Sequence, residues 1–212
     1  MSGVIGVDIG QGSIKLVLID KGSNGLLSLE SIGETKIPLS VERNVNKAKY
    51  FGEVGDALKS LLTDLKIKNK QVVASLSEND VISRMVRLPP MKDSEIMDAL
   101  RFEAETFVPY PLDEVSIDYE VIEKDDAGRL SVFVIAARND LIQAYVKLFK
   151  SLGLELIAIE SPSVSYRRVV KNSIKTVERV VILDLGEKYS DIFNINKGNA
   201  YFPDQFLLEE NH

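Results

Sequence analysis

Two apolar, β-branched hairpins, each interrupted by an aspartate and a glycine turn, constrain this chain more than any other feature. The first reads Val4-Ile5-Gly6-Val7, then Asp8-Ile9-Gly10-Gln11-Gly12-Ser13-Ile14-Lys15, then Leu16-Val17-Leu18-Ile19. The second reads Val180-Val181-Ile182-Leu183, then Asp184-Leu185-Gly186-Glu187-Lys188-Tyr189-Ser190, then Ile192-Phe193-Asn194-Ile195. Such runs form strands, and a short turn between two of them makes a hairpin. Ordinary hairpin turns are satisfied by Asn-Gly or Asp-Gly and need no carboxylate ending a buried strand ahead of small polar residues. Glycines let a ligand approach the backbone, and successive amides in such a turn form an anion-binding nest. Two copies predict a pair of jaws that grip phosphate from opposite sides.

Composition closes off several other chemistries. There is no cysteine, and the one histidine is His212. Disulfides, thiolate nucleophiles, a Ser-His triad and His- or Cys-based metal sites are therefore excluded. The net charge of −6 argues against nucleic-acid or anionic-membrane binding, which need basic surface. No apolar run reaches the ~20 residues that span a bilayer, and the N-terminus lacks a signal-peptide pattern. A cytoplasmic location without membrane insertion is expected.

Along the chain, strands are expected near 3–9, 13–20 and 26–36. A helix follows on Val54, Ala57, Leu58, Leu61, Leu62 and Leu65, and then a strand at Gln71–Leu76. The middle changes character. The strand Val81–Leu88 stops at Pro89-Pro90, and Asp93 or Ser94 caps a helix with the stripe Ile96, Leu100, Ala104 and Phe107. Strands Val115–Ile122 and Leu130–Ala137 flank the turn Asp125–Gly128. A helix through Leu141, Tyr145 and Phe149 ends at Gly153, and the strand Leu154–Ile159 closes the unit. The order β-α-β-β-α-β predicts a split unit with helices on one face of an antiparallel sheet, inserted into the first. A short helix Ser161–Val170 and a hairpin at about 179–202 come last, and Pro203 opens a short acidic tail.

With these residues in view, the chain resembles the actin/Hsp70-type ATPase superfamily and, in its FtsA-like branch, the PilM family of type IV pilus assembly proteins. The Asp8–Lys15 loop matches the superfamily's first phosphate signature in full, and Asp184-Leu185-Gly186 matches the core of the second. Ile157-Ala158-Ile159-Glu160 ahead of a helix is similar to its connecting segment. The middle carries the family-specific part: Arg84-Met85-Val86-Arg87-Leu88-Pro89-Pro90-Met91, Phe102-Glu103-Ala104-Glu105, Val108-Pro109-Tyr110-Pro111-Leu112-Asp113-Glu114-Val115 and Asp118-Tyr119. The resemblance implies an α/β, actin-like first lobe. Subdomain 1A (1–78 and 156–178) would carry an inserted β-α-β-β-α-β subdomain 1C (79–155). Only the opening hairpin of subdomain 2A (179–212) would follow, with most of the second lobe missing.

The resemblance further implies a cytoplasmic, ATP-binding adaptor at the inner face of the inner membrane. It would hold the N-terminal tail of the membrane protein PilN in a groove near 1A and 1C, and be at most a slow ATPase. Asp8 would hold Mg²⁺ through water, with Gly10, Gln11, Gly12, Ser13 and Lys15 on the phosphates. Asp184, Gly186 and Ser190 would form the second jaw, while Glu187 and Lys188 are bulky for a nest and read equally as a solvated tip. Glu160 either orients attacking water as a catalytic residue or serves as a dipole partner of its helix. Arg84 and Arg87 line a partner groove or are solvated strand charges, while Phe102 and Tyr119 are expected in the core. The competing function is a nucleotide-independent peptide scaffold of a pilus or type II secretion-like inner-membrane complex. A last hairpin without sheet partners would invite self-association.

Overall fold

Alternation in the first strand sets the architecture. In β1 (Val4–Ile9), Ile5, Val7 and Ile9 are buried while Val4, Gly6 and Asp8 face the other way. The computed structural model describes residues 3–38, 40, 42–173, 179–187, 189–196 and 199–207. With β2 (Ser13–Lys21), β3 (Leu27–Lys36), β4 (Gln71–Ser75) and β8 (Glu155–Glu160), β1 forms a five-stranded sheet in the order β3-β2-β1-β4-β8. β1, β4 and β8 run parallel; β2 and β3 are antiparallel to their neighbours.

Two helices cover one face of this sheet. α1 (Lys47–Asp64) starts where the Asn46 side chain accepts the Lys49 amide at 3.0 Å. It buries Tyr50, Val54, Leu58 and Leu61, a three- and four-residue spacing that makes one stripe. α3 (Asn139–Ser151) buries Leu141, Tyr145, Leu148 and Phe149 and ends at Gly153 in the left-handed region, φ 68°. Both stripes meet Ile5, Val7, Ile14, Leu16 and Val72 in one core.

The insert is a separate sheet. β5 (Val81–Leu88), β7 (Leu130–Arg138) and β6 (Val115–Lys124) pair antiparallel in the order β5-β7-β6, and α2 (Asp93–Ala104) packs Ile96 and Leu100 onto Val86, Leu88, Val132 and Val134. Ala104 joins a smaller adjoining cluster, as its place in the stripe predicts. Lys92, rather than Asp93 or Ser94, caps α2, with its amide donating to Glu95 at 3.0 Å.

The expected β-α-β-β-α-β insert needs one correction. β8 does not close the second sheet but pairs parallel with β4, and α3 lies in the first core. The amphipathic stripe of α3 looks the same whichever sheet it covers, so periodicity could not assign it. Phe102 is also corrected: it is 72% exposed on α2, because it sits off the Ile96–Leu100–Ala104 stripe. Tyr119 packs against the second core as expected.

α4 (Pro162–Ser173) leads to a third sheet, ordered β11-β10-β9, made of β9 (Arg179–Leu185), β10 (Tyr189–Asn196) and β11 (Asn199–Leu207). The strand β11 corrects the expectation of a tail from Pro203. Two residues, 202 and 203, stand against Phe193 alone between the pairs Ile192–Asp204 and Asn194–Tyr201. A bulge on an edge strand tolerates a proline that a central ladder would reject. The rest of the expected tail, 208–212 with His212, lies outside the described residues.

Candidate functional site

Strand register draws the sequence's candidate residues into one row. Asp8 stands opposite Lys15 on β2 and Ser75 on β4; Lys15 stands opposite Glu34, and Ser75 opposite Glu160. The rows on either side, Ile9 with Ile14 and Val7 with Leu16 and Ala74, are buried against the helices. Alternation therefore turns Glu34, Lys15, Asp8, Ser75 and Glu160 to the opposite face, at the ends of the parallel strands. In an open α/β sheet this is where ligands bind.

The two hairpins close with the same turn. The Gly10 amide donates to the Ser13 carbonyl at 2.9 Å, and the Gly186 amide to the Tyr189 carbonyl at 3.1 Å. A Cβ on Gly186 would overlap the Tyr189 carbonyl, so this position needs glycine. The hairpins differ across from their aspartates, where the first has Lys15 and the second Asp191. Tyr189, not Ser190, occupies the place of Ser13. Ser190 pairs with Leu185, one step out of phase with the Asp184–Asp191 pair, which puts it on the other face of its hairpin from Asp184. Its Oγ is buried without a hydrogen-bond partner among the described residues. Lys188 lies outside the described residues.

Electrostatics join the jaws. Burial pushes the Asp8 carboxyl above the usual carboxylate range; Lys15 pulls it down, and the charge of Asp184 adds to the upward push. Asp184 accepts a hydrogen bond from the Tyr166 hydroxyl of α4 at 3.0 Å. Burial and then Asp184 raise the Tyr166 hydroxyl well above the ordinary tyrosine value, so it stays a donor. A half-buried carboxylate under pressure from a second one fits a divalent cation, which relieves both. Among the described residues no group of three or more acids or histidines could hold a metal, so such a cation would take its other ligands from water and phosphate oxygens.

Several expected partners are engaged elsewhere. The Ser13 hydroxyl donates to Glu34 at 2.7 Å. The Glu160 carboxylate is held by α4, accepting from Ser165 Oγ at 3.2 Å and pairing with Arg168. Arg84 is exposed on β5 with its guanidinium 5.2 Å from the Phe107 ring centre, and Arg87 is exposed on the same strand.

A groove of about 1660 Å³ runs from Gly10 and Gly12 past Arg43 and Tyr50 to Pro109 and Tyr110 of the insert. Its floor is pinned by ion pairs from one short segment. Arg43 pairs with Asp80, just before β5, and Lys47 pairs with Asp140, just after β7, at 2.8 Å. Arg138 also reaches Asp140, at 3.1 Å, and lies 5.1 Å over the Tyr110 ring.

Sequence reasoning missed Glu78, which is 5% exposed at the junction of β4, β5 and α4. It accepts the Ser163 amide at 3.2 Å, while its other oxygen is buried without a partner among the described residues. Burial pushes its carboxyl up to about 7. A lone acid between two strands reads as a solvated loop; only the neighbouring Ser161-Pro162-Ser163 helix start hinted that donors would converge there.

Comparison with known proteins places this geometry. The chain matches a solved PilM–PilN type IV pilus biogenesis complex with a TM-score of 0.83 at 22% identity, covering 97% of this chain and 61% of that one. It also matches the cytoplasmic domain of EpsL, an inner-membrane component of the Vibrio cholerae type II secretion system, with a TM-score of 0.62 at 13% identity, covering 98% of this chain and 71% of that one. A Bacteroides thetaiotaomicron protein with an actin-like ATPase fold and unknown function gives 0.55 at 11% identity, covering 97% and 70%. The chain thus has the actin-like ATPase fold and spans about 61% of the length of the chain it matches in the PilM–PilN complex. The model of the type IV pilus assembly protein PilM family matches residues 6–203, across both hairpins and the insert, and the chain belongs to that family.

Proposed function

We propose that this protein is a nucleotide-dependent adaptor of type IV pilus assembly. It binds ATP with Mg²⁺ at the Asp8–Lys15 loop and holds the N-terminal tail of a PilN-like inner-membrane protein in the groove beside the insert. One observation carries the proposal: the first phosphate loop and the insert residues Pro109 and Tyr110 border the same groove. At about 1660 Å³ the groove exceeds the ~300–1,000 Å³ of ordinary small-ligand pockets, which leaves room for a peptide beside a nucleotide. Lys15 and the amides of Gly10–Ser13 hold the phosphates, Asp8 and Asp184 face the cation, and Asp184 and Gly186 hold the second jaw. The family's PilM–PilN complex supports the choice of partner. The adaptor works in the cytoplasm and reaches the inner membrane through that partner. Glu160 turns over ATP slowly at best, since its carboxylate first has to leave Arg168.

The nucleotide-independent scaffold is the second reading, favoured by the engagement of Ser13 with Glu34 and of Glu160 with Arg168. Titration calorimetry separates the two. The adaptor predicts that ATP with Mg²⁺ binds and changes the affinity for a synthetic PilN N-terminal peptide. Peptide binding that is indifferent to ATP leaves the scaffold.

A further inference from the structure

Glu187, at the turn of the second hairpin, reaches the first. Its carboxylate lies against the α-carbon of Gly12, in the space a Cβ on that residue would fill. Among the described residues it has no hydrogen-bond or ion-pair partner. Gly12 belongs to the turn whose amides make the anion nest, and its missing side chain is what opens the nest to a ligand. An acidic side chain therefore stands in the approach to a loop built for anions.

We infer that Glu187 is a displaceable gate on the phosphate loop. This rests on the nucleotide reading above and adds what controls access. A polyphosphate arriving at Gly12 meets a carboxylate at contact distance, where like charges repel. The carboxylate has two ways to yield. It can rotate into solvent, since the tip of the β9–β10 hairpin is exposed, or it can share a divalent cation with the incoming phosphate. The rest of the hairpin is not free to follow, because the Gly186–Tyr189 turn and the Tyr166–Asp184 bond hold it. Nucleotide affinity is thus set by the cost of expelling one side chain, and the gate favours metal-bound over free polyphosphate.

The test is calorimetry on the full chain with ATP and with inorganic tripolyphosphate, each with and without Mg²⁺, for the wild type, Glu187→Gln and Glu187→Ser. Glu123→Gln, on the exposed end of β6, makes the same change in net charge far from the loop. Circular dichroism melts check that all four are folded; the exposed tip tolerates either change. Neutralising Glu187 is expected to tighten both ligands by about tenfold without Mg²⁺ and by less with it, as for removal of one like charge at short range. Glu123→Gln is expected to leave both affinities unchanged. Wild-type binding that Glu187→Gln and Glu187→Ser leave unchanged or weaken overturns the gate alone. A matching gain in Glu123→Gln also overturns it, because net charge then explains the effect. Failure of every variant to bind either ligand overturns the gate and the nucleotide reading together.

Discussion

The Tyr166 hydroxyl donates to Asp184 Oδ2 at 3.0 Å, which ties α4 to the second phosphate hairpin. The ring of Tyr166 also packs on Phe193, with centroids 4.9 Å apart. Tyr166→Phe keeps the ring contact and removes only the donor. A hydrogen bond to a charged group contributes about 1.5–3 kcal/mol, and partial exposure brings the expected loss to roughly 1–2 kcal/mol. Urea unfolding measures that loss, and amide exchange should quicken first in β9. Unchanged stability with unchanged exchange would remove the clasp.

Lys15 stands beside Asp8 on the open face of the sheet, exposed and ready for phosphate. Lys15→Ala is expected to weaken ATP binding by roughly tenfold to a hundredfold, the value of one charge-assisted contact. Equal affinities in calorimetry of the two proteins would take Lys15 out of the site.

Glu78 makes stability depend on pH. Its carboxyl is raised from 4.5 to about 7 by burial, so the folded state keeps the proton where the unfolded state has lost it. Its stabilising protonation is fully present below about 4.5 and is lost as pH rises through about 7. The loss is roughly 3 kcal/mol at most. Glu78→Gln should match the wild type near pH 4.5 and be the more stable protein at pH 8. Parallel stability curves for the two proteins would contradict the shift.

Two glycines should respond oppositely to alanine. At Gly186 a Cβ meets the Tyr189 backbone carbonyl, which cannot move without opening the turn. A loss of about 1–3 kcal/mol is expected there. At Gly52, inside α1, a Cβ meets nothing within 4 Å. Removing a helix glycine there is expected to gain up to about 1 kcal/mol. Thermal melts of the two variants should move in opposite directions; a common direction would show that backbone entropy and crowding are misassigned.

Much of this was legible in the chain, for reasons the elements themselves give. Period-two alternation around Asp8 and period-three-and-four stripes on α1 and α2 are local, so the strands, helices and the first loop could be read directly. What stayed hidden was long-range. The place of β8 depends on which open edge it meets, and β4 offers one that its own residues do not announce. Phosphate-loop roles for Ser13 and Glu160 looked the same in sequence whether or not Glu34 and Arg168 were near. Ser190 misled by one residue: next to a Tyr in the turn it passed for a ligand, but strand alternation counts in single steps. Burial of Glu78 is a property of three elements meeting, and no window around it contains them.

Arg43 and Lys47 hold Asp80 on the chain's way into the insert and Asp140 on its way out. Both attachments therefore ride on the stretch that leads into α1. The two ion pairs flank the junction between the sheets, where Val81 and Ala137 of the insert also pack on the first core. The pins are unequal: Asp80 is 7% exposed, but Lys47 and Asp140 are 38% and 52% exposed. Salt screens exposed pairs far more than buried ones. Raising ionic strength should therefore loosen the Lys47–Asp140 pair first and leave the entry into the insert tied through Arg43 and Asp80.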